Sequence, residues 1–291
     1  MRRQDGDRAV IIDAHVHLWD AAHTPQPWMT PEVEEIARPF GPSDLRPLLE
    51  RNHVDSVVLV QGASLDSDTD YLLAEAQRQP WIAAVTAWLC LDEPERARTR
   101  LEELRVHPKF RAVRHLVHME DDVHWVVSER VLESISLVET AGVVFEIPVV
   151  YPHHFDDVVE LAERFPLLAI VVDHLGKPPL GTARFDDWVA KLTACAERPN
   201  VSAKLSGLNT ALERRDWGVD DFVPATSAAL EMFGPKRLMC GSDWPVALLN
   251  GDYDRVWQTT LRLVEMLAPG HEEALLGGNA ARVYRLSANG G

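Results

Sequence analysis

The chain has 291 residues with 29 Lys and Arg against 45 Asp and Glu, a formal charge of −16. An acid-rich chain lacks the clustered cations that a phosphate backbone demands, so nucleic-acid binding is excluded as its main role. Hydrophobic residues at 46% and charged residues at 25% describe a globular protein with a large core.

Eight short apolar, β-branched runs recur along the chain, at 10–15, 56–61, 82–88, 112–115, 143–149, 169–174, 201–206 and 238–243. Each is apolar throughout, as strands buried on both faces are. Helical patterns lie between them. Phe155, Val158, Val159, Ala162 and Phe165 follow helical spacing up to Pro166, and 129–141 and 254–267 read the same way. Strands alternating with helices imply parallel pairing under covered faces. Eight such units imply closure into a (β/α)₈ barrel, one domain over 1–291, since this fold runs to roughly 250 residues as a single unit. An open doubly wound sheet is the competing arrangement, but no GxGxxG follows the first run.

The proline-rich segment 19–47 breaks the alternation and reads as a loop over the barrel mouth, carrying Trp28 and Met29. Segment 287–291 reads as unstructured. Cys90, Cys195 and Cys240 are widely spaced with no CxxC pair, which fits reduced thiols rather than a disulfide framework. The first fifteen residues hold no apolar stretch of signal-peptide length, and no run approaches the roughly 20 apolar residues of a membrane span. These features point to a cytoplasmic protein with no membrane partner, acting on a small molecule; oligomeric state is not legible.

Chemistry-bearing residues gather at the ends of three strands. In Asp13-Ala14-His15-Val16-His17, strand alternation sends Asp13, His15 and His17 to one side. Two imidazoles held on one strand suit a first-row metal ion, or hydrogen bonding in a polar mouth. In the run 171–178, VVDHLGKP, an apolar strand ends in His174, where barrel enzymes expose catalytic groups, and Asp173 is expected to face the helical layer. In the run 238–245, LMCGSDWP, Gly241 and Ser242 let the chain approach the axis before Asp243 emerges. A carboxylate there serves as proton acceptor, metal ligand or cap of the next helix. Around these, Trp88, Arg114, His115, Glu146, Lys204 and Trp244 are candidate substrate contacts, and Gln61, Tyr151, Ser206 and Asn209 also face the mouth. Arg114 suits a substrate oxygen or carboxylate, or else an ion pair with an acid such as Glu146. His118, His124, His153 and His154 fall in loops and read as solvated. No GxSxG elbow occurs, which argues against a serine hydrolase.

The runs DAHVHLWD (13–20), VRHLVH (113–118), VVDHLGKP (171–178), AKLSGL (203–208), MCGSDWPV (239–246) and GGNAARVY (277–284) resemble, in order and over nearly the whole chain, the lactonase-like branch of the amidohydrolase superfamily. Similar members open sugar lactones or a pyrone dicarboxylate. The resemblance implies an amidohydrolase-type (β/α)₈ barrel in which Asp243 takes the proton of the hydrolytic water and returns it to the ring alkoxide. It implies that His15, His17 and His174, with Asp243, hold one divalent metal ion, zinc foremost, or that the histidines bind the substrate carbonyl with no metal. Binuclear relatives carry a bridging Lys or Glu on a middle strand; Glu146 is the only acidic counterpart, so two metals are not expected. The alternative activity on this fold is metal-dependent decarboxylation of an aromatic or unsaturated acid, and a third class is a non-catalytic binding protein.

Overall fold

The computed structural model describes residues 9–20 and 24–286. Eight parallel strands follow one another in sequence order around the sheet: β1 (Ile12–Val16), β2 (Ser56–Val60), β3 (Ile82–Ala87), β4 (Phe110–Arg114), β5 (Val144–Ile147), β6 (Ile170–Val172), β7 (Val201–Leu205) and β8 (Leu238–Cys240). Between them run α1 (Pro42–Arg51), α2 (Asp66–Arg78), α3 (Pro94–Leu104), α4 (Glu129–Thr140), α5 (Phe155–Arg164), α6 (Phe185–Ala196) and α7 (Val219–Phe233), with α8 (Tyr253–Leu267) and the short α9 (Asn279–Val283) after β8. The last strand returns to the first. The Asp243 N–H donates to the His15 carbonyl at 2.9 Å, and the His17 N–H to the Trp244 carbonyl at 2.7 Å. This seam closes the barrel, and the open-sheet arrangement does not form.

Two apolar layers hold the barrel. Outside, the strands pack on the helices through residues such as Val57, Leu59, Val85, Phe145 and Val172. Inside, near the start of the strands, Ile12, Ala14, Val58, Ala84, Ala112, Val144, Val171 and Met239 form a small core. The three alanines leave room for Ala280 and Tyr284, which plug the barrel from below. The run GGNAARVY is therefore a floor: Asn279 donates to the carbonyls of Pro235 and Leu238, tying α9 to β8.

The strand expectations hold in place and number, but most ends move by one to three residues. The expected loop 19–47 gives way to α1 from Pro42. Pro42 at the first helical position sacrifices no hydrogen bond, and Pro47 sits inside the helix. Trp28 stands over the mouth, with its indole N–H bonded to the Gly62 carbonyl at 2.7 Å. The reading of 287–291 lies outside the described residues. Among the described residues, no helix is long and apolar enough to cross a membrane, and all three cysteines are free and buried.

Candidate active site

The seam between β1 and β8 brings the site together. β8 can approach β1 closely because residue 241 is glycine: a Cβ there would lie 2.8 Å from the His15 Cβ and 2.9 Å from its backbone nitrogen. Just past the strand ends the backbone turns left-handed, with φ of 62° at Asp243 and 53° at His174. Non-glycine residues adopt this conformation at a cost of order 1 kcal/mol or more, and such strain gathers where a side chain must be aimed. Gly207, with φ of 59°, clears the space between them; a Cβ there would meet Asp243 Oδ2 at 2.7 Å and His174 Nδ1 at 2.8 Å.

The result is one buried cluster. Asp243 Oδ1 lies 3.4 Å from His17 Nε2, 3.7 Å from His15 Nε2 and 3.8 Å from His174 Nε2. The two ring nitrogens of His15 and His17 are themselves 3.1 Å apart. Asp243 Oδ1 is buried and makes no hydrogen bond, so it does not cap the following helix. The four residues singled out from the sequence do converge.

The tautomer of His17 follows from its neighbour. Its Nδ1 faces the Val60 carbonyl at 2.8 Å. A carbonyl only accepts, so Nδ1 carries the proton and Nε2 turns a lone pair into the cluster. His174 Nδ1 meets Ser206 Oγ at 2.8 Å. Burial drives His174 down to about 3, so the ring is neutral. His15 is likewise held well below its ordinary value, first by burial and then by the Lys204 ammonium. For Asp243, burial pushes the carboxyl up, but the surrounding His174, His17, Lys177 and His15 side chains together outweigh it and hold it below the carboxylate range. Neutral imidazoles around an ionised, unpartnered carboxylate are the donor set that a divalent ion takes. His15, His17 and Asp243 have ligand atoms close enough to share one ion, as do His15, Asp173 and His174. The residues present fit the group.

Asp173 overturns one expectation. It points inward, not to the helices: Oδ2 accepts from Arg114 Nε at 2.7 Å, and Oδ1 lies 3.3 Å from Lys204 Nζ and 3.4 Å from His15 Nδ1. β6 ends at Val172, so strict alternation stops before it. Asp13 departs the other way. The register slips between Asp13 and Val16, and this bulge sends Asp13 outward, where Oδ2 accepts from Tyr253 on α8 and Oδ1 from the Ser242 N–H, while His15 and His17 face the axis.

The cluster floors a cavity of about 280 Å³ lined by Trp19, Trp28, Arg114, Met119, Val149 and Lys177, among others. Of the candidate substrate contacts, Arg114 reaches this wall, paired with Asp173 and not with Glu146. The other five lie off it. Glu146 and Lys204 pair beneath the cluster at 2.5 Å. The Trp88 indole N–H donates to His115 Nδ1 at 3.1 Å, His115 Nε2 meets Glu120 at 2.7 Å, and Trp244 packs on Phe40. Gln61 braces Arg114 through its carbonyl, Asn209 donates to the Ala247 and Asn250 carbonyls, and Tyr151 bonds Asp187 at the surface. His118 is exposed, as expected, and also lines the cavity; His154 is buried and not solvated, and His124 is exposed beside Asp157. Lys177 is the contact the sequence reading passed over. Its Nζ is 3.9 Å from Asp243 Oδ2 and donates to Thr210 at 2.7 Å. Its signal was present, three residues after His174 and beyond a turn.

A barrel with a histidine and aspartate cluster at the carboxyl ends of its strands defines the class of fold, and sequence comparison places it further. The amidohydrolase family model matches residues 12–286, and the chain belongs to that family. It is 35% identical over 280 residues to the L-fucono-1,5-lactonase of Burkholderia ambifaria, covering 94% of this chain and 95% of that one. The crystal structure of an amidohydrolase from Burkholderia multivorans with bound zinc is 35% identical, with a TM-score of 0.88 over 96% of this chain and all of that one. The 5-carboxyvanillate decarboxylase of Sphingomonas paucimobilis, 14% identical with a TM-score of 0.67 over 96% of this chain and all of that one, shares the fold alone.

Proposed function

We propose that the protein opens a sugar lactone by hydrolysis, with Asp243 moving the proton. The observation that carries this is the buried, unpartnered Asp243 Oδ1 among three imidazole nitrogens, on the floor of a cavity that also presents Arg114 and Lys177. The full-length likeness to an L-fucono-1,5-lactonase supports an aldonolactone as the substrate class, and with it a part in carbohydrate metabolism. The walls add Trp19 and Trp28, whose faces suit the carbon-bound hydrogens of a sugar ring.

The lactone carbonyl sits above the cluster with a water beside Asp243. As the water attacks, Asp243 accepts its proton, and the tetrahedral centre collapses by expelling the ring alkoxide. The Lys177 ammonium that helps keep Asp243 ionised also weakens it as a base. That weakness serves the second half, because the protonated carboxyl gives its proton readily to an alkoxide, a far stronger base. Lys177 and Arg114 present positive charge to the carboxylate that is formed. A divalent ion held by His15, His17 and Asp243 would supply positive charge toward the polarised carbonyl oxygen; zinc fits these donors. The free buried thiols agree with a reducing, cytoplasmic setting. The decarboxylase reading has only the shared fold behind it.

The test is a panel of aldonolactones and aromatic acids with a pH-indicator and CO₂ readout, on protein whose metal content is measured and restored. Acid release from an aldonolactone is expected. Acid release from none of them, or CO₂ loss from an aromatic acid instead, would remove the assignment.

A further inference from the structure

At the opposite end of the barrel from the active site lies a second cavity, of about 320 Å³. Its polar lining is cationic: Arg105 caps the end of α3, Arg111 comes from β4, and Arg285 follows Tyr284. Although Arg237 and Arg255 bond only backbone carbonyls, most arginines described elsewhere in this acidic chain find carboxylates, as Arg96 does with Asp66, Arg100 with Asp70, Arg198 with Glu163 and Arg214 with Asp221. These three do not. Among the described residues, none of them makes an ion pair. Arg111 donates through one terminal nitrogen to the Phe110 carbonyl, and its Nε is buried without a partner. Burial, and then the nearby Arg285 charge, lower the hold of Arg111 on its proton.

Part of this positive charge has an ordinary counterpart. α3 and α4 both end beside this cavity, and cations favour helix C-termini. Each such end carries about half a negative charge, so two of them offset roughly one of the three positive charges. An excess of about two is left over. The rest of the wall is apolar, from Phe110, Val143, Val144 and Val283. A compact dianion with an apolar body matches both halves.

We propose that this cavity binds a phosphate monoester, its phosphate on Arg105, Arg111 and Arg285 and its organic part on Phe110 and the valines. The guanidinium forks offer paired N–H donors to phosphate oxygens, the geometry in which arginine binds them best. The site is separate from the lactone-binding cavity and does not depend on that activity.

Isothermal titration at low ionic strength with phenyl phosphate tests it. One saturable site per chain is expected, weakening as salt rises. Arg285→Gln and Arg111→Gln should each loosen it about tenfold, the effect of losing a charge-assisted hydrogen bond. Arg285 and Arg105 are exposed, so the double variant Arg105→Gln, Arg285→Gln keeps the test open if Arg111→Gln fails to fold. Lys177→Gln, altered in the other cavity, should leave binding unchanged, and neutral phenol should not bind. Absence of saturable heat, survival of binding in the double arginine variant, loss in Lys177→Gln, or equal binding of phenol would each overturn the proposal.

Discussion

Two buried polar clusters sit one above the other in this barrel, and they differ in how well their atoms are satisfied. In the lower one, Glu146 accepts from Thr86 at 2.6 Å, from Tyr284 at 2.7 Å and from Lys204 at 2.5 Å. Every oxygen has a donor, and no side chain there is exposed. In the upper one, Asp243 Oδ1 has no donor although three imidazoles surround it. Buried charge is tolerated when paired and hydrogen-bonded, and it is costly otherwise. The lower cluster is thus framework, and the upper one is arranged for something that arrives from outside.

Four substitutions would break or sharpen that contrast. The largest effect is expected for Asp243→Asn, which should lower lactone turnover by roughly 10²–10⁴ while the thermal midpoint stays near that of the parent. A variant with near-parental turnover would show that the upper cluster is not catalytic. Next, Glu146→Ala leaves the buried Lys204 ammonium with only Asp173 and His15 beside it, and should cost about 3 kcal/mol in urea unfolding; a loss confined to activity would reverse the roles assigned to the two clusters. Tyr284→Phe removes one of the donors to Glu146 and should cost about 1 kcal/mol by the same measurement. The smallest effect concerns pH. Burial raises the Asp68 carboxyl to about 6 despite hydrogen bonds from the Gly62 N–H and Gln26. A raised carboxyl costs stability that is absent below its unfolded value near 4 and fully present above about 6. Asp68→Asn should therefore flatten the fall in stability between pH 4 and 7, and an unchanged slope would mean that Asp68 titrates normally.

The barrel was legible in the sequence because a strand covered on both faces must be apolar throughout, and eight such runs stand out. The site was legible because the runs at 10–15, 169–174 and 238–243 end in His15, His174 and Asp243, although a fourth run, at 112–115, ends in His115, which lies off the cavity wall. What escaped were departures from strand geometry. Alternation put Asp13 with the histidines and Asp173 against them; a bulge in β1 and the early end of β6 reverse both. Lys177 and His174 adopt left-handed backbone that neither residue type advertises. Trp88 and His115 bond each other off the cavity wall, and Glu146 and Lys204 pair below it, since the pairing of a buried polar side chain depends on strands distant in sequence.

The seam has a consequence for how the protein becomes competent. His15 and Asp243 come from opposite ends of the chain, and the hydrogen bonds that align them are those that join the last strand to the first. Contacts of such long sequence separation form late, because the intervening loop must be ordered first. A nascent chain that has emerged only as far as β7 can hold most of its eventual core and still have no place where the reaction happens.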